Sequence, residues 1–507
     1  MSLTLTPAGP DRSVPDPALD VEHSRGTRRP TPRWARWAIL TLVLIVGLGV
    51  RWYFLDRQTM DYQNFLSRWY DTLDQRGFGA FREQFADYNY PYLYLIWGLT
   101  ILHVPSLIGI KALSITFDVV LAALAYRIVA LRTDRFSLRA LAFGIVFLLP
   151  SVIMNSAWWG QADAIYTACV VAGIYFLLRA QSGGARRGEP GHRAYVWNSV
   201  IACACFGLAL GFKLQAVFVF PVLLWLLIRR RLPWSSLLAV PVVYLLLDVP
   251  AVLAGASWST ALSVYLNQTG SYKQLTLGAA NLYQLIPISG DATWVAHLGV
   301  GLAALVVVVF LVWSVWRKPS VTPTSILVVA TASAAIVPFL LPAMHDRYFF
   351  TVEILSVVAA FFLPLWFVAI PVLIQASAIG VYHSSLTGDQ GRGMGFGGQH
   401  GFGGRQDGAG APSSGPGGSG SGGGWNGSTS RGVTGGPGDP HGGGGPGGGA
   451  PGGGPSGGHG GRGADGYTSG RGDTALTVYA SFMAGAVMGL IFTAVRVVGV
   501  RPGNRAH

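Results

Sequence analysis

Apolar runs of about 17 to 22 residues recur along this chain, and a run of that length matches a helix of ~1.5 Å rise per residue crossing a ~30 Å hydrocarbon layer. A soluble core needs no such repetition. With 51% hydrophobic residues over 507 positions and a mean hydropathy of +0.43, the chain carries more apolar sequence than one soluble domain buries. A transmembrane barrel would show short segments of alternating polarity instead, and none is present. The expected fold class is an all-α polytopic membrane protein.

A formal charge of +13 could point to nucleic acid, but the arginines sit in short loops between apolar runs rather than on one face. They read as topology signals. The clusters are Arg25, Arg28, Arg29, Arg33 and Arg36; Arg127, Arg132, Arg135 and Arg139; Arg179, Arg186, Arg187 and Arg193; Arg229 to Arg231; Arg317 and Lys318; and Arg496, Arg501 and Arg505. Basic residues accumulate on the cytoplasmic side of short loops. An even number of crossings between successive clusters then gives about 12 spans. They lie near residues 37–54, 111–131, 140–156, 162–179, 196–212, 215–229, 233–253, 295–316, 324–341, 348–363, 366–384 and 475–496. Both termini fall in the cytoplasm, and the last hairpin turns near Pro364. Residues 92–104 are apolar too, but a span there would upset the charge alternation, so they are expected as a helix lying in the interface.

The first apolar run follows about 36 polar residues with no small-residue cleavage pattern, so it is expected to be a retained anchor. Cys169, Cys203 and Cys205 fall inside spans, where they read as small packing residues rather than as a disulfide or metal set. From about Gly388 to Gly470 the chain is dominated by glycine, a composition unable to bury enough apolar surface to offset ordering. It is expected as a disordered external spacer. Two glycosylation sequons, at Asn267 and Asn426, matter only in a glycosylating secretory pathway.

Against this apolar background, the loop from Arg57 to Tyr94 concentrates Asp61, Asp71, Asp74, Glu83 and Asp87 among aromatics. Other polar groups lie at span ends on the same expected side: Asn155 to Asp163, Lys213 to Gln215, Tyr272 and Lys273, Asn281 to Tyr283, and His345 to Tyr348. Ionisable residues are costly at such depth and must pair, reach water or contact a ligand. A cavity open to the outside, lined with acids, bases and aromatics, is implied.

These runs, taken in order, resemble a known family. Asp61-Tyr62 with Trp69, then Asp87-Tyr88-Asn89-Tyr90-Pro91-Tyr92-Leu93-Tyr94, Trp158-Trp159-Gly160-Gln161-Ala162-Asp163, Lys213-Leu214-Gln215 and His345-Asp346-Arg347-Tyr348 look like the Gpi18-like mannosyltransferase family. More widely they look like the GT-C glycosyltransferases. The resemblance spans about residues 37–384, with Asp346 standing where the family often has Glu. It implies a GT-C-like bundle with a long first external loop, and inverting transfer of a sugar from a polyprenyl-phosphate carrier to a lipid, glycan or protein hydroxyl. The implied layout is a disordered cytoplasmic N-terminus (1–36), a catalytic membrane region (37–386), the Gly-rich loop (387–473), and a last span with a cytoplasmic tail (474–507).

The resemblance also assigns roles. An alcohol needs its proton accepted in the transition state, and Asp61 is placed as that catalytic base. The departing phosphate gains charge, and His345, Arg347 and Lys213 are the expected donors to it. Asp87, Tyr88, Trp159, Gln161, Asp163, Gln215 and Tyr348 are the expected substrate contacts. Plainer alternatives stay open. Asp61 could cap its loop helix or pair with Arg57; His345 could cap a span and Arg347 reach the interface; Lys213 could mark a span boundary; and Trp158 and Trp159 could belong to an interfacial aromatic belt. No cofactor is expected, since neither H-E-x-x-H nor D-x-D occurs, although Asp61 and Asp163 could meet around a divalent ion. No nucleotide-binding glycine pattern precedes a helix, and no nucleic-acid partner is expected.

A transporter or flippase of lipid-linked sugars is the main rival. It would favour midplane sites and internal repeats, which this sequence lacks. A scaffold that recruits partners through its Gly-rich loop is a third reading, and it leaves the membrane carboxylates unexplained. The Arg-, Ala-, Val- and Gly-rich composition points towards a bacterial plasma membrane, with the endoplasmic reticulum the alternative for a eukaryotic source, and the resemblance implies a role in the cell envelope.

Overall fold

The computed structural model describes residues 32–183, 188–270, 272–388 and 466–499, with backbone alone at 267–270. Among them the chain is almost wholly helical. Among the described residues nine helices are long and apolar enough to cross a membrane: Arg33–Trp52, Ser106–Ala130, Asp163–Ala180, His192–Phe212, Trp234–Leu253, Thr293–Arg317, Pro323–Leu340, Leu365–Thr387 and Thr474–Gly499. A tenth arises if Phe136–Leu148 and Pro150–Trp159, bent by 46°, count as one broken span. This is the architecture of a polytopic membrane protein.

Each of the twelve expected segments is helical, but two fall short of a crossing. Leu214–Ile228 begins as a 3-10 turn and changes at Pro221, and Phe350–Ala360 has 11 residues. At ~1.5 Å per residue the latter spans about half of a ~30 Å hydrocarbon layer. Pro364, which cannot continue a helix, follows within one turn.

Asp163–Ala180 and Pro323–Leu340 lie at the centre and are buried over most of their surface, while Arg33–Trp52 is exposed along nearly its whole length. Small residues explain the close packing. Ala330, Thr331, Ala332, Ser333, Ala334 and Ala335 are all buried on Pro323–Leu340, and without a hydrophobic drive between helices it is such surfaces that let backbones approach. At Gly207 a β-carbon would sit 2.6 Å from the Val240 carbonyl oxygen, so only glycine permits this crossing. The outward side chains of the first helix, among them Trp37, Leu42, Ile45 and Val46, are apolar and exposed. Lipid is the solvent that suits them.

The helix Tyr90–Ile101 differs from its expected place in the interface. Tyr90, Tyr92, Leu93 and Ile96 are buried, the Asn89 amide donates to the Gly211 carbonyl at 3.2 Å, and the Tyr94 hydroxyl accepts from the Ala251 N–H at 3.0 Å. Asn89 and Tyr94 give it polar anchors inside the bundle that a lipid surface would not supply.

One short parallel pair joins Thr276–Leu277 to Met344–His345, with Thr276 opposite Met344 and Leu277 opposite His345. The segment 466–473 adds to its edge. Leu275 N–H donates to Thr468 O at 2.9 Å, Thr468 N–H to Lys273 O at 2.8 Å, and Arg471 Nε to Gln284 O at 2.9 Å. These eight residues end the stretch expected as a Gly-rich loop; the rest of it from 389 to 465, with Asn426, lies outside the described residues, as do residues 1–31. Residues 33–36, assigned by sequence to the N-terminal segment, begin the first helix.

Candidate functional site

Two interruptions of regular helix build the centre of the site. After the first span the chain turns through residues 53–57, and the buried Lys111 ammonium holds that turn by donating to Phe54 O at 2.7 Å and Arg57 O at 2.5 Å. Asp61 follows at the head of a π-helical turn, Tyr62–Leu66. Across from it, Pro150 bends the helix and a second π-helical segment, Met154–Trp159, ends at Gly160, whose φ of 78° is left-handed. Such geometry suits glycine. It turns Trp159 and Gln161 toward Asp61, and π-turns of this kind recur at functional sites.

Asp61 Oδ2 accepts three hydrogen bonds: from Gln161 Nε2 at 2.7 Å, Trp159 Nε1 at 2.9 Å and Arg347 Nη1 at 3.1 Å. Oδ1 accepts none among the described residues, and the side chain is 31% exposed. Asp61 neither caps its helix through its side chain nor pairs with Arg57, which contacts Tyr53.

Asp163, at the first position of its helix, is 2% exposed and occupied on both oxygens. Oδ1 takes Lys213 Nζ at 2.5 Å, and Oδ2 takes Asn155 Nδ2 at 2.9 Å with Arg347 Nε at 3.6 Å. Lys213 arrives because the helix His192–Phe212 stops one residue earlier and its own backbone is extended. Its ammonium lies 4.9 Å from the Tyr88 ring centroid. Burial alone would lower the lysine, but Asp163 and Tyr88 outweigh it and hold the ammonium above its ordinary value.

Arg347 bridges the two carboxylates and lies 5.1 Å from the centroid of the Trp159 ring. Tyr88 closes the circle, its hydroxyl donating to Gln161 Oε1 at 3.3 Å. His345 sits beside this group between Tyr272 and Tyr348, with ring centroids at 4.7 and 5.2 Å. Burial, with Arg347 and Lys213 nearby, drives its imidazole down to about 3 against the pull of Asp163. That favours the neutral imidazole near pH 7, a form that can still donate a hydrogen bond from one ring nitrogen. Asp346 turns aside to accept from Ser385 at 2.7 Å.

The structure thus gathers Asp61, Tyr88, Trp159, Gln161, Asp163, Lys213 and Arg347 into one bonded network, with His345 and Tyr348 along its edge. Asp87 stands exposed at the rim with no hydrogen bond or ion pair among the described residues. Gln215 is buried on the next turn and its Oε1 has no partner. Trp158, unlike Trp159, faces away and stacks on Phe54 at 5.2 Å. Asn281 caps the short helix Leu282–Leu285, and the Tyr283 hydroxyl bonds Leu340 O at 2.6 Å, so this run packs internally rather than facing a cavity.

Sequence reasoning passed over charges within the apolar runs. Arg51 and Asp118 form a buried pair at 2.8 Å, joined by Ser156; Lys111 holds the turn before Asp61; Glu353 accepts from Tyr382 at 2.7 Å; and Asp248 is wholly buried. The signal was present, since an ionisable residue inside a span is functional or paired by default. Among the described residues no group of three or more His, Cys, Asp or Glu could hold a metal ion. Comparison with protein-family models, curated proteins and solved structures returned no match.

Proposed function

We propose that this chain is a GT-C-type membrane glycosyltransferase, a mannosyltransferase that moves a sugar with inversion from a polyprenyl-phosphate carrier to a hydroxyl acceptor. The reading includes an active site on the non-cytoplasmic side and residence in a bacterial plasma membrane. Its support is the order of the resembling runs together with one observation. Asp61 has one oxygen saturated by three donors and the other free, within a network holding two permanent cations.

That arrangement suits a single displacement. The acceptor oxygen attacks the anomeric carbon while the bond from that carbon to the phosphate oxygen breaks; the hydroxyl proton passes to Asp61 Oδ1, and the electron pair leaves with the phosphate. Trp159 and Gln161 fix the carboxylate so that no rotation is spent in reaching the proton. Arg347, already shared between Asp61 and Asp163, can add a phosphate oxygen to its fork, and Lys213 supplies a second charge. Asp163 positions both cations. His345 serves as a neutral hydrogen-bond donor, Tyr88 offers a half-buried ring to a sugar, Trp159 acts through its indole N–H on Asp61, and Asp87, Gln215 and Tyr348 complete the expected lining.

Transfer of label from radiolabelled polyprenyl-phosphate mannose, in membranes holding wild type, Asp61→Asn or Arg347→Ala, tests the reading. Label should reach an acceptor only with the wild type, and full activity of Asp61→Asn would remove the base. A second reading, transport of lipid-linked sugars, draws on the buried Asp118, Asp248 and Glu353 inside spans. It predicts movement of the lipid across proteoliposomes with no new glycosidic bond.

A further inference from the structure

A second polar centre lies behind Tyr88, where the next residue leaves the catalytic network. Asp248, inside Trp234–Leu253, is fully buried; neither of its carboxylate oxygens meets a donor at strict hydrogen-bond geometry among the described residues, and the polar side chain that acts on it most closely is Asn89. Asn89 is beside it, but its N–H goes to Gly211 O at 3.2 Å, leaving its own carbonyl oxygen unsatisfied. The Tyr90 hydroxyl, also buried, is unsatisfied as well. Tyr94, Tyr244 and Tyr265 complete the surroundings, close enough for Asp248 to act on each electrostatically.

The unmet groups are mostly acceptors. Asp248 contributes two oxygens and Asn89 one, and among the described residues no Lys, Arg or His forms an ion pair with the carboxylate. An unpaired carboxylate removed from water costs several kcal/mol or more, a cost relieved either by taking up a proton or by a bound positive charge. The backbone adds to the same field. Leu210 and Gly211 lie in the last turn of His192–Phe212, where the helix dipole is negative, and their carbonyl oxygens accept hydrogen bonds from this centre, Leu210 from the Tyr265 hydroxyl at 2.5 Å, which leaves it a second lone pair, and Gly211 from the Asn89 amide at 3.2 Å. A broken helix whose terminal carbonyls face a buried carboxylate is the arrangement that membrane proteins use for alkali cations.

We infer that Asp248, the Asn89 carbonyl and the helix end at Leu210–Gly211 form a binding site for a monovalent alkali cation. One carboxylate matches a single positive charge, hard oxygen donors suit an alkali ion rather than a transition metal, and the burial of Asp248 and Asn89 admits an ion more readily than an organic guest. The inference stands apart from the glycosyltransferase reading, because the cation braces the junction between Tyr88 and Lys213 whatever chemistry occurs there.

Thermal unfolding of the full-length protein in detergent, at equal ionic strength in sodium, potassium or N-methyl-D-glucamine chloride, provides the test. Sodium or potassium should raise the unfolding temperature above the glucamine value, by about 3 °C or more and in a saturable way. Asp248→Asn should lose that response. Asn89→Ala, which keeps the carboxylate, should weaken it, and Asn89→Asp, with a second negative charge, should shift the response toward calcium. Equal unfolding temperatures in the three salts would overturn the site, as would a cation response undiminished in Asp248→Asn and Asn89→Ala.

Discussion

Arg347 donates to Asp61 at 3.1 Å across 286 positions of sequence, and the same guanidinium lies 3.6 Å from Asp163. One planar cation thus sets the distance between the partly exposed carboxylate and the buried one, as a bidentate fork can and a point charge cannot. Arg347→Lys should therefore behave almost as Arg347→Ala does. In the transfer assay both should lose about 100-fold or more in kcat, with the lysine variant recovering less than tenfold of that loss. A lysine variant near wild-type activity would mean that charge alone suffices.

Lys213 and Asp163 form a pair buried to 6% and 2% exposure. Removing one partner strands the other, which typically costs about 3–5 kcal/mol, whereas neutralising both is often tolerated. Asn155 and Arg347 still support Asp163, so Lys213→Met is expected near the lower figure. The double variant Lys213→Met with Asp163→Asn should regain most of the stability and none of the transfer. Denaturation in detergent alongside the label assay separates the two effects, and a double variant no more stable than Lys213→Met would show that the pair has no special coupling.

The sequence exposed most of the helices and most of this network because both rest on patterns that a linear string preserves. Apolar run length does not depend on neighbours, and Asp163, Lys213 and Arg347 stand out as charges at the ends of such runs. What stayed hidden depends on partners. The pairing of Asp61 with Arg347 rather than with nearby Arg57 follows from the turn that Lys111 holds, and Trp158 differs from Trp159 only because a π-turn rotates one of them outward. The shortness of Phe350–Ala360 was equally concealed, since hydropathy continues through the break near Pro364.

Arg51 anchors the most exposed helix of the bundle. Its guanidinium is 1% exposed and meets Asp118 Oδ2 at 2.8 Å, Phe147 O at 2.9 Å and Gly47 O at 3.1 Å, while stacking on the Phe147 ring at 4.2 Å. Arg51→Met leaves Asp118 with Ser156 alone and should cost about 3 kcal/mol or more. The loss should concentrate in Arg33–Trp52, whose amides should exchange hydrogen faster in detergent than those of Asp163–Ala180. Uniformly faster exchange would indicate global unfolding instead.

His345 and Asp346 are neighbours with opposite pH signatures. Burial holds the His345 imidazole at about 3, below its ordinary 6.5. Between those values the unfolded chain binds a proton that the folded chain refuses, so this residue makes stability rise with pH and level off above them. Burial raises the Asp346 carboxyl from 3.8 to about 6 despite Arg347. There the folded chain keeps a proton that the unfolded chain has released, so stability falls as pH rises through that window. The two slopes oppose each other between about pH 4 and pH 6, and the pair's contribution to the wild type should be nearly flat. Relative to the wild type, unfolding temperature should decline across this range in His345→Gln and climb in Asp346→Asn. Parallel curves for the wild type and His345→Gln would mean that the histidine is not held neutral by the fold.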